Sequence, residues 1–560
     1  MGWCAAPTAL LPAPESAPDS APARPGARPR GAAAMRPGAR SRAPPRSSAA
    51  TMGAPLPLAR RAPAVGLEGG GPPGPRGRSP RRPGRDTMRL APAFGLLSVL
   101  AVTVLAPATA RAGNDDSFFQ GNEAAMLGGA VAAVGYGPGL LWYNPAGLGS
   151  NTRNRLELSG SVFTLRIRRL DPFVRVGITD EQTIEKQLRG TSFVTAPSAL
   201  SFVRQLSPRL TAGFGVFVPV QESFDAGSDF SRDVAAADGR SISVSGDVAQ
   251  TVQRTRYHAG PGFGYRVSDR FRIGASLFFV YETASLTARI NAQDFRERAG
   301  DPSLIDSFAT GLDVRANVTR MALELVLGAQ WEPVRGFHLG FAVRGPRFRL
   351  KDEEEYDDLF FQGTDTTDIS DPENPVVSEG EYVYLRDRST ASFNDVTSPL
   401  AAPMRFVFGV GYSRARLRMG VEVDVSHQLL GALIGYERQW NARFGVAFRV
   451  SDETEIGMGL FTDRAATFAD PLEVAAIDYY GASLGLKLDT PVGLSDDEQE
   501  ESGASRLVFR TTVGLRYAVG IGDWEPFEVD LTEDGTMSEG GLVDVIFHEV
   551  GLYLGSGLDF

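Results

Sequence analysis

A few residue patterns in this chain have the types and spacing for chemistry. Gly481-Ala482-Ser483-Leu484-Gly485 matches G-x-S-x-G, the motif that presents a nucleophilic serine on a sharp turn between a strand and a helix. Here Tyr480, Ala482, Leu484, Leu486 and Leu488 run straight through it as one alternating row, so the elbow is absent and no catalysis is expected. The histidines, His258, His338, His427 and His548, are spread over separate segments without metal-ligand spacing. The Gly-x-Gly pieces lie inside alternating stretches rather than ahead of a helix, which argues against a dinucleotide site. Two acidic runs, Asp352 to Asp358 and Asp496 to Glu501, read as solvated loop faces, with divalent-ion binding as the alternative. No cofactor is expected.

The ends and the charge narrow the class further. Met1 to Asp86 is almost all Ala, Pro, Gly, Arg and Ser, and cannot bury enough surface to fold. Residues 1–87 are thus a disordered leader, or sequence upstream of the true start. From Met88 the chain has the order of a secretory signal peptide: Arg89, an apolar run from Phe94 to Leu105, then Ala110 and Ala112 in an A-x-A arrangement. Residues 88–112 are expected to be removed. Up to Ala112 the chain holds 16 of its 57 basic residues and 4 of its 67 acidic ones, which leaves about −22 on the remainder. A chain this acidic is a poor nucleic-acid binder, because the phosphates repel it. The single cysteine, Cys4, lies in the leader, so the exported part has neither disulfide nor thiol.

The elements come from a period of two. Leu417, Met419, Val421, Val423 and Val425 alternate with Arg416, Arg418, Gly420, Glu422 and Asp424. Phe337, Leu339, Phe341 and Val343 alternate with His338, Gly340, Ala342 and Arg344. One face is bulky and apolar and the other is charged or Gly, which means strands. Several run ten or more residues, enough for a tilted bilayer crossing, and Tyr281, Trp331, Tyr412 and Tyr480 stand near the ends of the apolar rows as interface aromatics do. The expectation is an all-β, antiparallel transmembrane barrel over 153–560, with about fourteen strands starting near Arg155, Phe193, Arg209, Thr251, Arg270, Phe308, Gly336, Met404, Arg416, Tyr436, Thr454, Asp478, Ser505 and Asp544. Tight turns such as Ser207-Pro208 and Ser268-Asp269 alternate with long connections at Arg168 to Ser192, Asp225 to Gln250, Asn291 to Asp306 and Lys351 to Pro403. Short turns belong to the periplasmic side and long loops outside, which puts both barrel termini in the periplasm. Asp489 to Ala504 is an exception, an acidic connection on the periplasmic side. Arg416, Arg418, Arg506, Arg510 and Arg516 are expected in the lumen, either as a polar channel lining or paired with Glu324, Glu422 and Asp424. The last strand puts Val550, Leu552, Leu554, Leu558 and Phe560 on one face, and the terminal Phe560 reads as an assembly signal for the barrel-insertion machinery.

Residues 113–152 have another texture, rich in Ala, Gly and aromatics. A closed barrel offers no edge to such a segment, so the lumen is its expected place. Gly128-Gly129-Ala130 followed by Trp142-Tyr143-Asn144-Pro145-Ala146-Gly147-Leu148 resembles the N-terminal hatch of the FadL/TodX family of outer-membrane transporters for hydrophobic substrates. Gly213-Phe214-Gly215-Val216-Phe217-Val218-Pro219 is similar to that family's Gly-rich third strand, although the family's usual Phe-Gly after the proline is here Val220-Gln221. The resemblance implies a fourteen-stranded barrel with a lumenal hatch. It also implies uptake of long-chain fatty acids or other hydrophobic molecules by lumenal binding, hatch movement and lateral exit near a kinked third strand. The expected hatch residues are Asn144, Pro145 and Ala146. The expected ligand path is Phe118, Phe119, Phe217, Pro219, Phe278 and Val280; for Pro219 a simple strand end is the other reading. Partners would be the hydrophobic ligand, outer-membrane lipid with lipopolysaccharide, and the assembly machinery. Two other functions compete: an anchor or assembly partner for surface proteins, and an open diffusion porin.

The A-x-A arrangement generates a direct test. N-terminal sequencing of the protein from outer membranes is expected to begin at or near Gly113; a product that retains the residues before Met88 refutes the signal peptide.

Overall fold

The computed structural model describes residues 118–179, 182–236, 239–378, 380–392, 399–429, 435–436, 438–465, 467–468, 476–492, 507–524, 526–531 and 537–560. The leader, the signal peptide, Arg506 and the Asp496 to Glu501 run lie outside them.

Twenty segments join in one sheet that closes on itself, and seventeen of them make up fourteen antiparallel staves. These are β1 (Arg155–Thr179), β2 (Gln182–Ser207), β3 (Leu210–Ala235), β4 (Ser241–Ser268), β5 (Phe271–Arg298) and β6 (Asp301–Val334). Next come β7 (Phe337–Arg344, continued by Arg347–Asp368) and β8 (Tyr382–Ser392, Leu400–Ala402 and Arg405–Arg414). The last six are β9 (Leu417–Ser426), β10 (Gln439–Arg449), β11 (Thr454–Asp463), β12 (Ala476–Val492), β13 (Leu507–Trp524) and β14 (Val543–Asp559). The ring closes where β1 pairs with β14 from Arg155↔Asp559 to Ile167↔His548. Arg155 also binds the Asp559 carboxylate at 2.5 Å, and Asn154 and Phe560 exchange backbone hydrogen bonds of 3.2 and 3.1 Å. Phe560 itself points outward and stacks on Phe202.

The strands begin earlier than their apolar rows suggest. β2 starts at Gln182 rather than near Phe193, β4 at Ser241 rather than near Thr251, and β6 at Asp301 rather than near Phe308. Much of the chain expected as long outer loops is therefore hairpin. The reason is visible on β5. Its outward row is apolar from Phe271 through Ile273, Leu277 and Phe279 to Tyr281, a span that fits a tilted bilayer crossing. Beyond that, the outward positions become Thr283, Ser285, Thr287 and Arg289, while the inward ones become Ala284, Leu286, Ala288 and Ile290. Alternation persists with its phase inverted, as it must once the outside is water instead of lipid.

The inverted zone has its own core. Leu170, Phe173 and Ile178 from β1 meet Phe224 and Phe230 from β3, with Val244 and Val248 from β4 and Val545 and Phe547 from β14. A short strand, Phe527–Asp530, lies parallel to β1 at Val174 to Gly177, beyond the last β1–β14 pair. Phe173 stacks on Trp524 at 5.4 Å, and the outer mouth is filled with apolar side chains.

Ser483 lies mid-strand on β12, between Gly459 and Arg516, with no turn beside it. Arg418, Arg510 and Arg516 face the lumen as expected, but Arg416 lies exposed at the β8–β9 turn. The expected ion partners also change. Glu422 and Asp424 pair with Arg443 on the neighbouring strand, Arg418 reaches Glu123 and Glu455, and Glu324 holds Arg344 and Arg347.

The two zones predict separable stability. Phe173→Ala is expected to cost about 3–5 kcal/mol, the usual penalty for emptying a large buried aromatic site. Hydrogen exchange is expected to speed up in the outer hairpins and stay slow in the lipid-facing staves. Equal acceleration in both zones would show a single cooperative core.

Candidate functional site

The segment from Phe118 to Ser150 folds inside the barrel as α1 (Asn122–Met126), α2 (Leu140–Tyr143) and a 3-10 turn (Pro145–Ser150). Such irregular backbone leaves amides and carbonyls unpaired within itself, and in a buried place each needs a partner. The wall supplies them through side chains. Glu157 accepts from the Asn122 N–H at 2.7 Å and Glu422 from the Ala132 N–H at 2.9 Å. Gln330 donates to the Ala132 carbonyl at 3.0 Å and Arg266 to the Gly149 carbonyl at 3.1 Å.

Asn144 makes the turn towards β1. Its side-chain oxygen accepts from the Ala146 N–H at 3.2 Å, and its amide donates to Ala132 at 2.8 Å and to Ala329 on β6 at 3.1 Å. Pro145 opens the 3-10 turn, where its missing N–H costs nothing. All three expected hatch residues are buried.

The wall makes room with glycine. A Cβ on Gly340 would stand 2.4 Å from the Ala132 carbonyl, one on Gly274 2.4 Å from that of Pro145, and one on Gly459 2.3 Å from the Gly128 nitrogen. This belt of lumen-facing glycines is the seat of the hatch.

Above the seat is an aromatic cluster. Trp142 packs against Phe217 at 5.7 Å, Phe278 at 6.1 Å and His258 at 4.8 Å between ring centroids. The Arg344 guanidinium lies 3.8 Å from the Trp142 ring centre and donates to the Trp142 carbonyl at 2.7 Å. Of the expected path residues, Phe217 and Phe278 are brought together here. Val280 is buried on the same face of β5 but outside the cluster, and Phe118 lies apart under the Arg166 guanidinium. Phe119 meets Phe461 edge-on at 5.1 Å and borders a narrow cavity lined by Ala125, Thr164, Gly514, Gly551 and Tyr553.

Pro219 is not a strand end. β3 continues to Ala235, and between Phe217↔His258 and Val220↔Arg256 it carries two residues opposite the single Tyr257 of β4. This bulge coincides with the end of pairing to β2, which stops at Ala199↔Phe217. Farther out, β2 pairs only with β1 among the described segments, so the β2–β3 seam has no ladder pairing there, although Phe224 of β3 still packs on Gly190 of β2. The opposite lip has its own proline: Pro197 pairs with Gly160 while Ala199 pairs with Ser159, which leaves Ser198 as an extra residue. Neither proline can donate to a ladder, and a bulge on each strand turns the backbone away from its neighbour.

The hatch holds this seam. Gln120 donates from its side-chain amide to the Val218 carbonyl in the bulge at 3.2 Å and to Phe118 at 3.0 Å, while its backbone N–H reaches the Tyr143 hydroxyl at 3.1 Å. Past the bulge, β3 crosses to the lumen side of β1, where Arg166 donates to Gln221 at 2.7 Å and Arg168 pairs with Glu222 at 2.6 Å. Sequence reasoning missed Pro197, Gln120, His258 and Arg344. A proline inside a strand-like run was a readable signal for the first; the other three acquire meaning only from contacts distant in sequence.

No family model and no curated protein matches this chain. Among solved structures it is similar to a Pseudomonas aeruginosa FadL homologue, at 13% identity over 80% of this chain and 99% of that one, with a TM-score of 0.49. It is likewise similar to the Pseudomonas putida toluene transporter TodX, at 13% identity over 80% and 99% with a TM-score of 0.41. The Ralstonia pickettii toluene transporter TbuX gives 13% identity over 80% and 99% with a TM-score of 0.42. The chain is thus similar to FadL-type channels, the family that its hatch motif resembles.

Proposed function

We propose that this protein is an outer-membrane channel for long-chain fatty acids or other hydrophobic molecules, which bind in the lumen, displace the hatch and leave sideways through the β2–β3 seam. One observation carries this reading: the β2–β3 pairing ends at Ala199↔Phe217, two residues short of Pro197 on one strand and of Pro219 on the other, and the hatch residue Gln120 is hydrogen-bonded to the bulge beside that point. A closed barrel in lipid ordinarily satisfies every ladder bond, so an open seam calls for a use. A lateral exit lets an apolar molecule pass from protein into bilayer without crossing the aqueous periplasmic side. Hatch and seam share one hydrogen bond, so a hatch displaced by ligand releases the lip of the exit in the same movement.

A diffusion porin fits poorly, because a polar solute would have to cross both the apolar outer core and the hatch. The anchor reading has one observation in its favour: staves of up to 34 residues extend well beyond what a bilayer crossing needs and carry a second core.

Deleting Pro219 alone removes the extra residue and restores one-to-one pairing with β4. Uptake of labelled oleate by cells that express this variant is expected to fall at least tenfold, with the barrel still shifting on heat-modifiable gels. Unchanged uptake by a folded variant would eliminate the lateral exit. Asn144→Ala removes the bonds that tie the turn to Ala132 within the hatch and to Ala329 on β6, each worth about 0.5–1.5 kcal/mol net, while Gln330 still holds the Ala132 carbonyl. Basal, ligand-independent accessibility of hatch residues to protease is expected to rise; if it stays at the level of the unaltered protein, Asn144 is not a hatch anchor.

A further inference from the structure

Trp142 is an unusual thing to find at the top of a plug. Its indole is gripped by a guanidinium on one face and bounded by Phe217, Phe278 and His258, all of them wall residues. The wall groups belong to three adjoining staves and to β7: Phe217 on β3, His258 on β4, Phe278 on β5 and Arg344 on β7. Together they form an aromatic slot whose occupant comes from the hatch.

His258 adds a second, independent observation. It is fully buried, and neither ring nitrogen has a hydrogen-bond partner among the described residues. The indole that fills the slot meets the imidazole at 81° and leaves both nitrogens unpartnered. A buried polar group without a partner is costly, and a molecule that bonds it gains what the hatch does not offer.

We propose that the slot is a binding site for planar two-ring aromatic molecules carrying an N–H or O–H donor, such as indole or 2-naphthol, and that Trp142 is its built-in substitute in the closed state. This rests on the uptake reading for its consequence but not for its chemistry. The ligand stacks under Arg344, where an aromatic face attracts a cation, and its donor bonds one nitrogen of His258. The ligand and Trp142 cannot occupy the slot together. Binding therefore expels the indole, and with it α2, whose Tyr143 hydroxyl accepts from Gln120, the residue that clamps the seam. A ligand shifts a conformational equilibrium only by its differential affinity for the two states. Here that difference is the bond to His258, which the expelled tryptophan never makes. A saturated chain has neither the π-face for Arg344 nor the donor for His258, so within the hydrophobic molecules this slot selects aromatic ones.

The test uses the full chain labelled with 5-fluorotryptophan, the Trp142 fluorine resonance being assigned with Trp142→Phe. Titration with 2-naphthol or indole is expected to shift the Trp142 resonance saturably and leave those of Trp331 and Trp440 unchanged. Naphthalene, which lacks the donor, is expected to bind about tenfold more weakly, the factor that one hydrogen bond supplies. In His258→Phe, which keeps a ring in place, 2-naphthol is expected to drop to the naphthalene level while naphthalene itself is unaffected. Binding of 2-naphthol by calorimetry without a response at Trp142 overturns the proposal. So does a His258→Phe variant that weakens both molecules alike, or neither. Oleate uptake with a silent Trp142 also sinks the slot and leaves the uptake reading standing. Loss of that reading in the Pro219 experiment, with Trp142 still responding, leaves the slot as a binding site without a transport role.

Discussion

In a lipid-embedded wall, every backbone amide and carbonyl must find its partner within the protein. Closure of β1 on β14 meets most of that demand for the staves and leaves the wall few backbone groups for anything placed inside it, the carbonyls of Val218, Ala329 and Ser556 among them. The hatch, which is mostly turns and single-turn helices, has to be satisfied by wall side chains instead. This is why carboxylates, amides and guanidiniums such as Glu157, Glu422, Gln330 and Arg344 point into the lumen at hatch height. It is also why the residues between them are glycines, since any Cβ there would collide with hatch backbone.

From that constraint the lumen divides into storeys along each strand. On β4 the inward row runs from Gly264, Gly262 and Gly260 through His258, Arg256 and Arg254 to a stretch dominated by Val252, Val248 and Val244 and interrupted by Gln250 and Gly246. Glycine seats the hatch. The charged storey is internally compensated: Arg254 and Arg256 share Glu282, and Arg344 and Arg347 share Glu324, as buried charges require. The apolar storey closes the mouth. Outward residues change in counter-phase, from the lipid-facing Phe263 and Tyr265 to the water-facing Ser243 and Ser245. A single strand thus passes through two solvents and three interiors without losing its period of two.

The exception to full pairing lies where function is expected. Two prolines and two bulges, one pair on each lip, keep β2 and β3 apart over their outer halves. The gap is not left to itself: Gln120 bridges hatch and bulge, and Arg166 and Arg168 tie the diverging β3 to β1. A wall seam tied to the plug is the arrangement that the proposed coupling of lumenal binding to lateral exit needs. The aromatic cluster at Trp142 sits next to this junction, since Phe217 is the last β3 residue paired to β2 and also a wall of the Trp142 slot.

The sequence alone determined the fold class, the approximate number of staves, the inward and outward faces, and the position of the hatch. All of these follow from local alternation and from the exclusion of an apolar, glycine-rich segment from water. It marked Asn144 and Pro145 as a turn, because an asparagine bonding its own backbone is a short-range event. It also showed Gly on the lumen face, without showing why. The outer halves of the staves were misread as loops, because their outward rows turn polar where lipid ends and only a tertiary partner reveals that the inward rows turn apolar together. The Gln120 clamp and the His258–Trp142 contact depended on residues about a hundred positions apart being brought within hydrogen-bond or ring-contact distance. Such pairings are set by closure and register of the whole barrel, and no local pattern in the chain encodes them.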